Sequence, residues 1–227
     1  MFFYYDPTYI LVIIAMVISA IASVRVNSAF NKYSHERAEC NMPAHMVARQ
    51  ILDANGLYDI PVERVAGNLS DHYDPQNKVM RLSDSVYNST SIAALGVAVH
   101  ETGHALQDVE NYAPLRIRSM IAPVAQFGSY ASWILILLGI FFSYTFIEIG
   151  IWAFVAVVAF QLITLPVEFN ASGRALLALE GGGYLTREEV PKAKKVLSAA
   201  AMTYVAAMIA AVLQLLRLII LFGGRRD

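Results

Sequence analysis

Apolar residues gather into four long runs along this 227-residue chain, and the polar residues fall largely between them. The runs cover residues 9–24, 119–143, 150–166 and 198–216. A helix crosses a bilayer with about 20 apolar residues, or a few less, so each run predicts a membrane span. The pattern divides the chain into a first transmembrane helix (1–24), a soluble domain (25–118) and a transmembrane hairpin (119–166). A second soluble segment (167–197) and a fourth transmembrane helix with its tail (198–227) complete it.

Within 25–118 the periodicity changes. Asn41-Met42-Pro43 reads as a helix start, with Asn41 as the cap and proline in the first turn. Met46, Val47, Ile51 and Leu52 then keep helical spacing until Gly56 closes the element. The runs "DIPVERVAGNLS" and "NKVMRLS" are joined by "DHYDPQN", whose Asp, Pro and Asn form turns, so a β-hairpin is predicted. If Val79–Ser83 is an edge strand, an extended peptide can pair with it. Ser91-Ile92-Ala93-Ala94-Leu95-Gly96 then opens an Ala-rich helix.

Composition sharpens the class. With 57% hydrophobic and only 15% charged residues, the chain is too apolar for an ordinary soluble domain. The net charge of −1, without a basic cluster, argues against nucleic acid as a partner and leaves the lipid bilayer. The single cysteine, Cys40, excludes an internal disulfide and reads as a small buried thiol. Ala20-Ile21-Ala22 resembles a leader cleavage site, but the residues before it include Asp6 and no Lys or Arg, which favours an uncleaved anchor.

Basic residues set the expected orientation. Arg25, Lys32, Arg37, Arg116 and Arg118 flank spans in the first polar loop, and Arg174, Arg187, Lys192, Lys194 and Lys195 lie in the second. The turn at 144–149 has none. Both loops are therefore expected in the cytoplasm and both termini outside, although Arg225 and Arg226 oppose this. Arg217, near the end of the fourth run, is expected to snorkel to the headgroups.

One stretch carries chemistry: "AVHETGHALQ", residues 98–107. On a helix, His100 and His104 project from one face a turn apart and can share a metal ion. Glu101 is rotated away from that pair, placed to take a proton from water that the ion acidifies. Glycine inside a helix costs about 1 kcal/mol relative to alanine, so Gly96 and Gly103, on one stripe, imply a close backbone neighbour. The plain alternative is a helix whose histidines are satisfied by core hydrogen bonds, yet two rings and a carboxylate in an apolar helix would each need a partner.

A third ligand follows from the topology. After His104 the chain crosses the membrane twice, and "LPVEFNASGRALL" is the first segment to return. A helix continuing out of the third span would hold Glu168 at the surface, where the alternative is an interfacial carboxylate paired with Arg174. Glu148 falls on the opposite side, and Asp108 lies about 12 Å along the axis from His100. Glu180, Glu188 and Glu189 remain open, although Thr186 with Glu189 reads as a capping box. His72 and Tyr73, and more weakly Tyr184, are candidates for polarising a carbonyl or stabilising an oxyanion. Gly181-Gly182-Gly183 reads as a flexible connection.

The order "DHYDP", "LSDSVY", "SIAALGVAVHETGHALQ" and "PVEFNASGRAL" resembles the bacterial YugP-like neutral zinc metallopeptidases over most of the chain. It is more distantly similar to HtpX-type and CAAX-prenyl-type membrane proteases. The resemblance implies one zinc ion per chain held by His100, His104 and Glu168, with Glu101 as general base. It also implies a bacterial cytoplasmic membrane, a peptide or protein substrate, and a role in protein quality control or peptide processing. Ser172 stands where the distant relatives have an aspartate four residues past the glutamate ligand, so Asn170, Ser172 or Arg174 is expected to support the ligands instead. The expected fold is thus a mainly α membrane protein of four transmembrane helices. Its small α+β domain resembles the gluzincin type of zincin, with a β-hairpin before the helix that carries His100 and His104. Two other readings are a catalytically silent metal-binding or structural subunit, and an intramembrane protease. Intact Glu101 speaks against the first, and the polar "DVENY" directly after the helix speaks against the second.

Overall fold

The computed structural model describes residues 6–223. Residues 1–5, and the Arg225–Arg226 pair that opposed the expected orientation, lie outside them. The element order is α1 (Tyr9–Ser34), α2 (Ala44–Ala54), β1 (Val62–Val65), β2 (His72–Asp74), β3 (Val79–Ser83), α3 (Ile92–Val109), α4 (Ala113–Phe141), α5 (Tyr144–Gly181) and α6 (Val190–Phe222). Four of these, α1, α4, α5 and α6, are long and apolar enough to cross a membrane.

Each of the four helices outlasts the apolar run that announced it. At 1.5 Å per residue, the 38 residues of α5 span about 57 Å, against a hydrocarbon core of about 30 Å. Hydropathy marks the stretch that suits lipid and is silent on where the helical hydrogen bonds stop. The same reason moves the turn between α4 and α5: only Phe142 and Ser143 separate them, and 144–149 are helical. Pro166 lies inside α5 and does not end it, so Glu168 sits on an uninterrupted helix.

Two compact units divide the chain. The first comprises the chain up to Ser23, Arg116–Leu165, and the chain from Thr203 onward. Here α4 and α5 form a tight hairpin: the Ser132 hydroxyl donates to the Gly150 carbonyl at 2.8 Å. Ile136, Phe154, Val158, Ala211 and Leu218 form its small buried cluster. Arg217, the basic residue near the end of α6, has partners at the start of α1. Its guanidinium pairs with Asp6 at 3.0 Å and lies over the Tyr9 ring.

The second unit comprises Val24–Leu115 and Pro166–Met202 and holds the large core. Helix α2 buries Ala44, Val47, Ala48, Ile51 and Leu52, the i, i+3, i+4, i+7, i+8 stripe of an amphipathic helix. It starts at Ala44, with Pro43 in the cap position, whereas Asn41 has a left-handed φ of 49° and caps nothing; asparagine tolerates that region better than most residues. Half of the expected capping box forms: the Thr186 amide donates to Glu189 Oε2 at 2.9 Å, while the Glu189 amide donates to the Thr186 carbonyl and not to its hydroxyl.

The sheet departs from the simple hairpin. Its order is β1-β3-β2, with β1 parallel to β3 and β2 antiparallel to it. The hairpin preceding α3 is β2–β3, and β2 lies inside "DHYDPQN", the stretch expected to be turn alone. Asp74 accepts hydrogen bonds from the Gln76 and Asn77 amides, which confines the turn to the residues after it. Strand β3 is therefore central, and both its edges are taken, so a peptide cannot pair with it.

Candidate metal centre

The geometry begins with the cap of α3. Ser91 Oγ accepts the Ala94 amide at 3.2 Å, which satisfies one of the free donors of the first turn. From that start, His100 and His104 fall a turn apart, and their rings meet edge to face with centroids 4.8 Å apart. Glu168 reaches them from α5: its Oε2 lies 3.3 Å from His100 Nε2 and 3.6 Å from His104 Nε2. Glu168 is only 1% exposed.

These three donor atoms lie within 4.8 Å of one another, the one such group among the described residues. Two imidazole nitrogens and a carboxylate oxygen are the three protein ligands a catalytic zinc site uses. Tetrahedral bonds of about 2.0–2.1 Å put donors roughly 3.3 Å apart, which the carboxylate-to-imidazole separations match closely. The residues therefore fit a zinc ion.

Contacts behind the ligands fix which nitrogen faces the centre. Gln107 donates its amide to the Val167 carbonyl at 2.8 Å and to Asn170 Oδ1 at 2.9 Å. Its Oε1 is then the acceptor for His104 Nδ1 at 3.0 Å, so Nδ1 carries a proton and Nε2 is the nitrogen turned toward Glu168. Ser172 Oγ lies 3.1 Å from His100 Nδ1 and has the same place behind the other ring. Arg174 Nε donates to Asn170 Oδ1 at 2.8 Å and its guanidinium pairs with Glu110. Burial pulls the His104 pKa down, but the Glu168 hydrogen bond and the Glu101 and Glu168 charges outweigh it and leave the pKa raised.

Backbone proximity completes the arrangement. A Cβ on Gly103 would stand 2.7 Å from the Ala171 carbonyl oxygen, so α3 and α5 meet at a distance that only glycine permits. At Gly96 the nearest atom would be 3.7 Å away, ordinary contact that does not require glycine. The close neighbour inferred for both glycines exists at Gly103 alone.

Glu101 is 8% exposed, and its Oε2 accepts the Tyr73 backbone amide at 3.0 Å. The Tyr73 hydroxyl donates to Asp108 Oδ2 at 2.8 Å; burial, reinforced by Asp108, holds that phenol well above its ordinary pKa. Nearby Asp71 accepts both the amide and the hydroxyl of Ser83. Burial raises its pKa in spite of those bonds, and the Glu101 charge adds to the rise.

The other candidates from the sequence lie as follows. His72 is exposed, its Nδ1 2.9 Å from the Ser70 carbonyl. The Tyr184 hydroxyl donates to Gln50 Oε1 at 3.1 Å. Glu180 and Glu188 are exposed, whereas Glu189 is buried and accepts the Glu39 amide as well as its own cap. Sequence reasoning missed Gln107, although its position three residues after His104 puts it on the same face. It also missed the Tyr73 amide, for which no side-chain pattern exists.

Comparison with known proteins agrees with this chemistry. Residues 8–223 match the family described as "Putative neutral zinc metallopeptidase". A relative from Bacillus subtilis (strain 168), described as "Putative membrane protease YugP", is 48% identical over 218 residues, covering 96% of this chain and 97% of the relative. No solved structure matches. The chain belongs to this zinc metallopeptidase family.

Proposed function

We propose that this chain is a zinc-dependent endopeptidase of the bacterial cytoplasmic membrane, with its active centre at the cytoplasmic surface. His100, His104 and Glu168 hold one zinc ion per chain, and Glu101 is the general base. The observation that carries this reading is the convergence of Glu168 Oε2 on both histidine Nε2 atoms, with Glu101 next to His100 and fixed by a backbone donor. When bound, zinc supplies a Lewis acid that polarises a carbonyl and acidifies water.

The chain's own residues do the rest. Gln107 and Ser172 hold the two rings so that Nε2 faces inward, and Asn170 and Arg174 brace Gln107 from α5. Glu101 takes a proton from the attacking water and returns it to the leaving amine. Suitable substrates are unfolded, membrane-bound or small peptides presented at the bilayer. The basic residues of the two polar loops support a cytoplasmic centre.

Metal content and peptide cleavage test this on purified protein. Wild type should hold about one zinc per chain and cleave an unfolded substrate, as expected of three protein ligands with a fourth position for chemistry. Glu101→Gln should keep the zinc and lose cleavage by a factor on the order of 10² or more. Glu168→Ala should lose most of the zinc. Full zinc in Glu168→Ala removes Glu168 from the ligand set, and a zinc-loaded wild type that cleaves nothing overturns the enzyme reading.

A further inference from the structure

We propose that Tyr73, clamped by Asp108 and Lys78, is a positioning residue that holds the Glu101 carboxylate in one orientation; this rests on the reading of Glu101 as general base. Glu101 and Asp108 stand seven residues apart on α3. Seven residues are two helical turns, so both side chains share a stripe about 10.5 Å long. Tyr73 lies along that stripe and is bound at both ends: its amide donates to Glu101 Oε2 at 3.0 Å, and its phenol donates to Asp108 Oδ2 at 2.8 Å. One residue of the edge strand β2 thus ties the sheet to the helix at two points.

The clamp extends through the hairpin. Lys78 Nζ pairs with the same Asp108 oxygen that receives the phenol. Lys78 has φ 51°, a left-handed conformation that a side-chain-bearing residue rarely adopts, so the turn into β3 is held against its own preference. At the other end of that turn, Asp74 accepts the Gln76 and Asn77 amides and the Asn77 side chain. Asp108 therefore anchors both β2, through Tyr73, and the end of the turn, through Lys78. Strand β2 is only three residues long and pairs on one side alone. Ladder bonds by themselves would leave it free to fray.

The consequence falls on Glu101. A glutamate side chain turns about three bonds and loses that freedom only where contacts hold it. The Tyr73 amide engages Oε2, and Oε1 is the oxygen left to receive a proton. The phenol is buried beside Asp108 and remains protonated, hence a donor, throughout the working pH range. Loosening it lets β2 drift and releases the amide from the base.

The test uses the full-length zinc-loaded protein and the variants Tyr73→Phe, Lys78→Met and Glu101→Ala. Zinc content, kcat, KM and hydrogen–deuterium exchange over β2 are read together. Tyr73→Phe should keep its zinc and hold KM within about twofold. Its kcat should fall by about ten- to a hundredfold, the scale of a misplacement near 1 Å. Its β2 amides should exchange as fast as those of Glu101→Ala, which lacks the acceptor. Lys78→Met should move both readouts the same way by less, and it carries the test if Tyr73→Phe does not fold. Faster exchange with unchanged kcat overturns the proposal, as does unchanged exchange. If wild type holds zinc but cleaves nothing, the endopeptidase reading falls. The clamp is then decided by exchange alone: matching acceleration in Tyr73→Phe and Glu101→Ala supports it, and no acceleration ends it.

Discussion

At the scale of single residues, Gln107 shows how one side chain sets the chemistry of another. Its amide nitrogen is spent on the Val167 carbonyl and on Asn170, which leaves only its oxygen for His104. The ring is thereby held with Nε2 toward Glu168. Partners of this kind typically contribute ten- to a hundredfold in metal affinity. Gln107→Leu should therefore weaken zinc by about that factor, measured by competition with a chromogenic chelator, while Glu110→Gln, three contacts further out through Asn170 and Arg174, should change it by less than about threefold. Equal losses in both would mean that the network acts as one block. The placement of His100 and His104 on one face of a helix, with Glu101 beside them, was legible in the sequence because it follows from helical spacing alone. Glu168 was legible because a hairpin of two spans must return the chain to the side it left. The tie between Glu101 and Tyr73 leaves no such trace, since the donor is a backbone amide that every residue but proline owns.

At the scale of elements, the centre depends on how closely α3 approaches α5. Glu168 comes from a helix 64 residues after His104, and only helix-to-helix contact brings the two together. Gly103 permits that contact, with the Ala171 carbonyl at 2.7 Å from where a Cβ would stand. That oxygen belongs to the backbone of α5 and cannot rotate away, so Gly103→Ala must separate the helices. We expect zinc affinity to fall at least tenfold and the melting temperature of the zinc-free protein to drop, the usual result of overpacking by about 1–3 kcal/mol. Gly96→Ala is the contrast: its nearest neighbour is 3.7 Å away, and removing a mid-helix glycine should raise stability by up to about 1 kcal/mol. Calorimetry of the two variants decides whether close approach, rather than glycine as such, matters. The sheet was the least legible element. Alternation and turn formers revealed β3 and the presence of a hairpin, but the parallel β1–β3 pairing is made across a long connection and has no local signature. Strand β2 was hidden because "DHYDP" mixes turn formers with strand residues.

For the whole molecule, the arrangement of chain ends bears on which side of the membrane the centre faces. Arg217, late in α6, pairs with Asp6 at the start of α1, and the Tyr144 hydroxyl, at the start of α5, donates to the Phe222 carbonyl at the end of α6. The start of α1, the α4–α5 turn and the end of α6 therefore share one end of the membrane unit. The opposite ends of its four helices lead into 24–115 and 166–202. Eight of the ten Lys and Arg residues near the spans lie in those segments, Arg116 and Arg118 lie near the start of α4, and none lies in the α4–α5 turn, the distribution expected of polar segments that face the cytoplasm. In a Cys40→Ser background, Ser143→Cys and Glu188→Cys place single thiols at exposed positions in the turn and in the second polar segment. A membrane-impermeant maleimide on intact cells should label Ser143→Cys and leave Glu188→Cys untouched until the cells are permeabilised. The reverse pattern would put the metal centre outside, where the substrates would be exported or extracellular peptides, and would show that the basic residues had been outweighed by another orienting force.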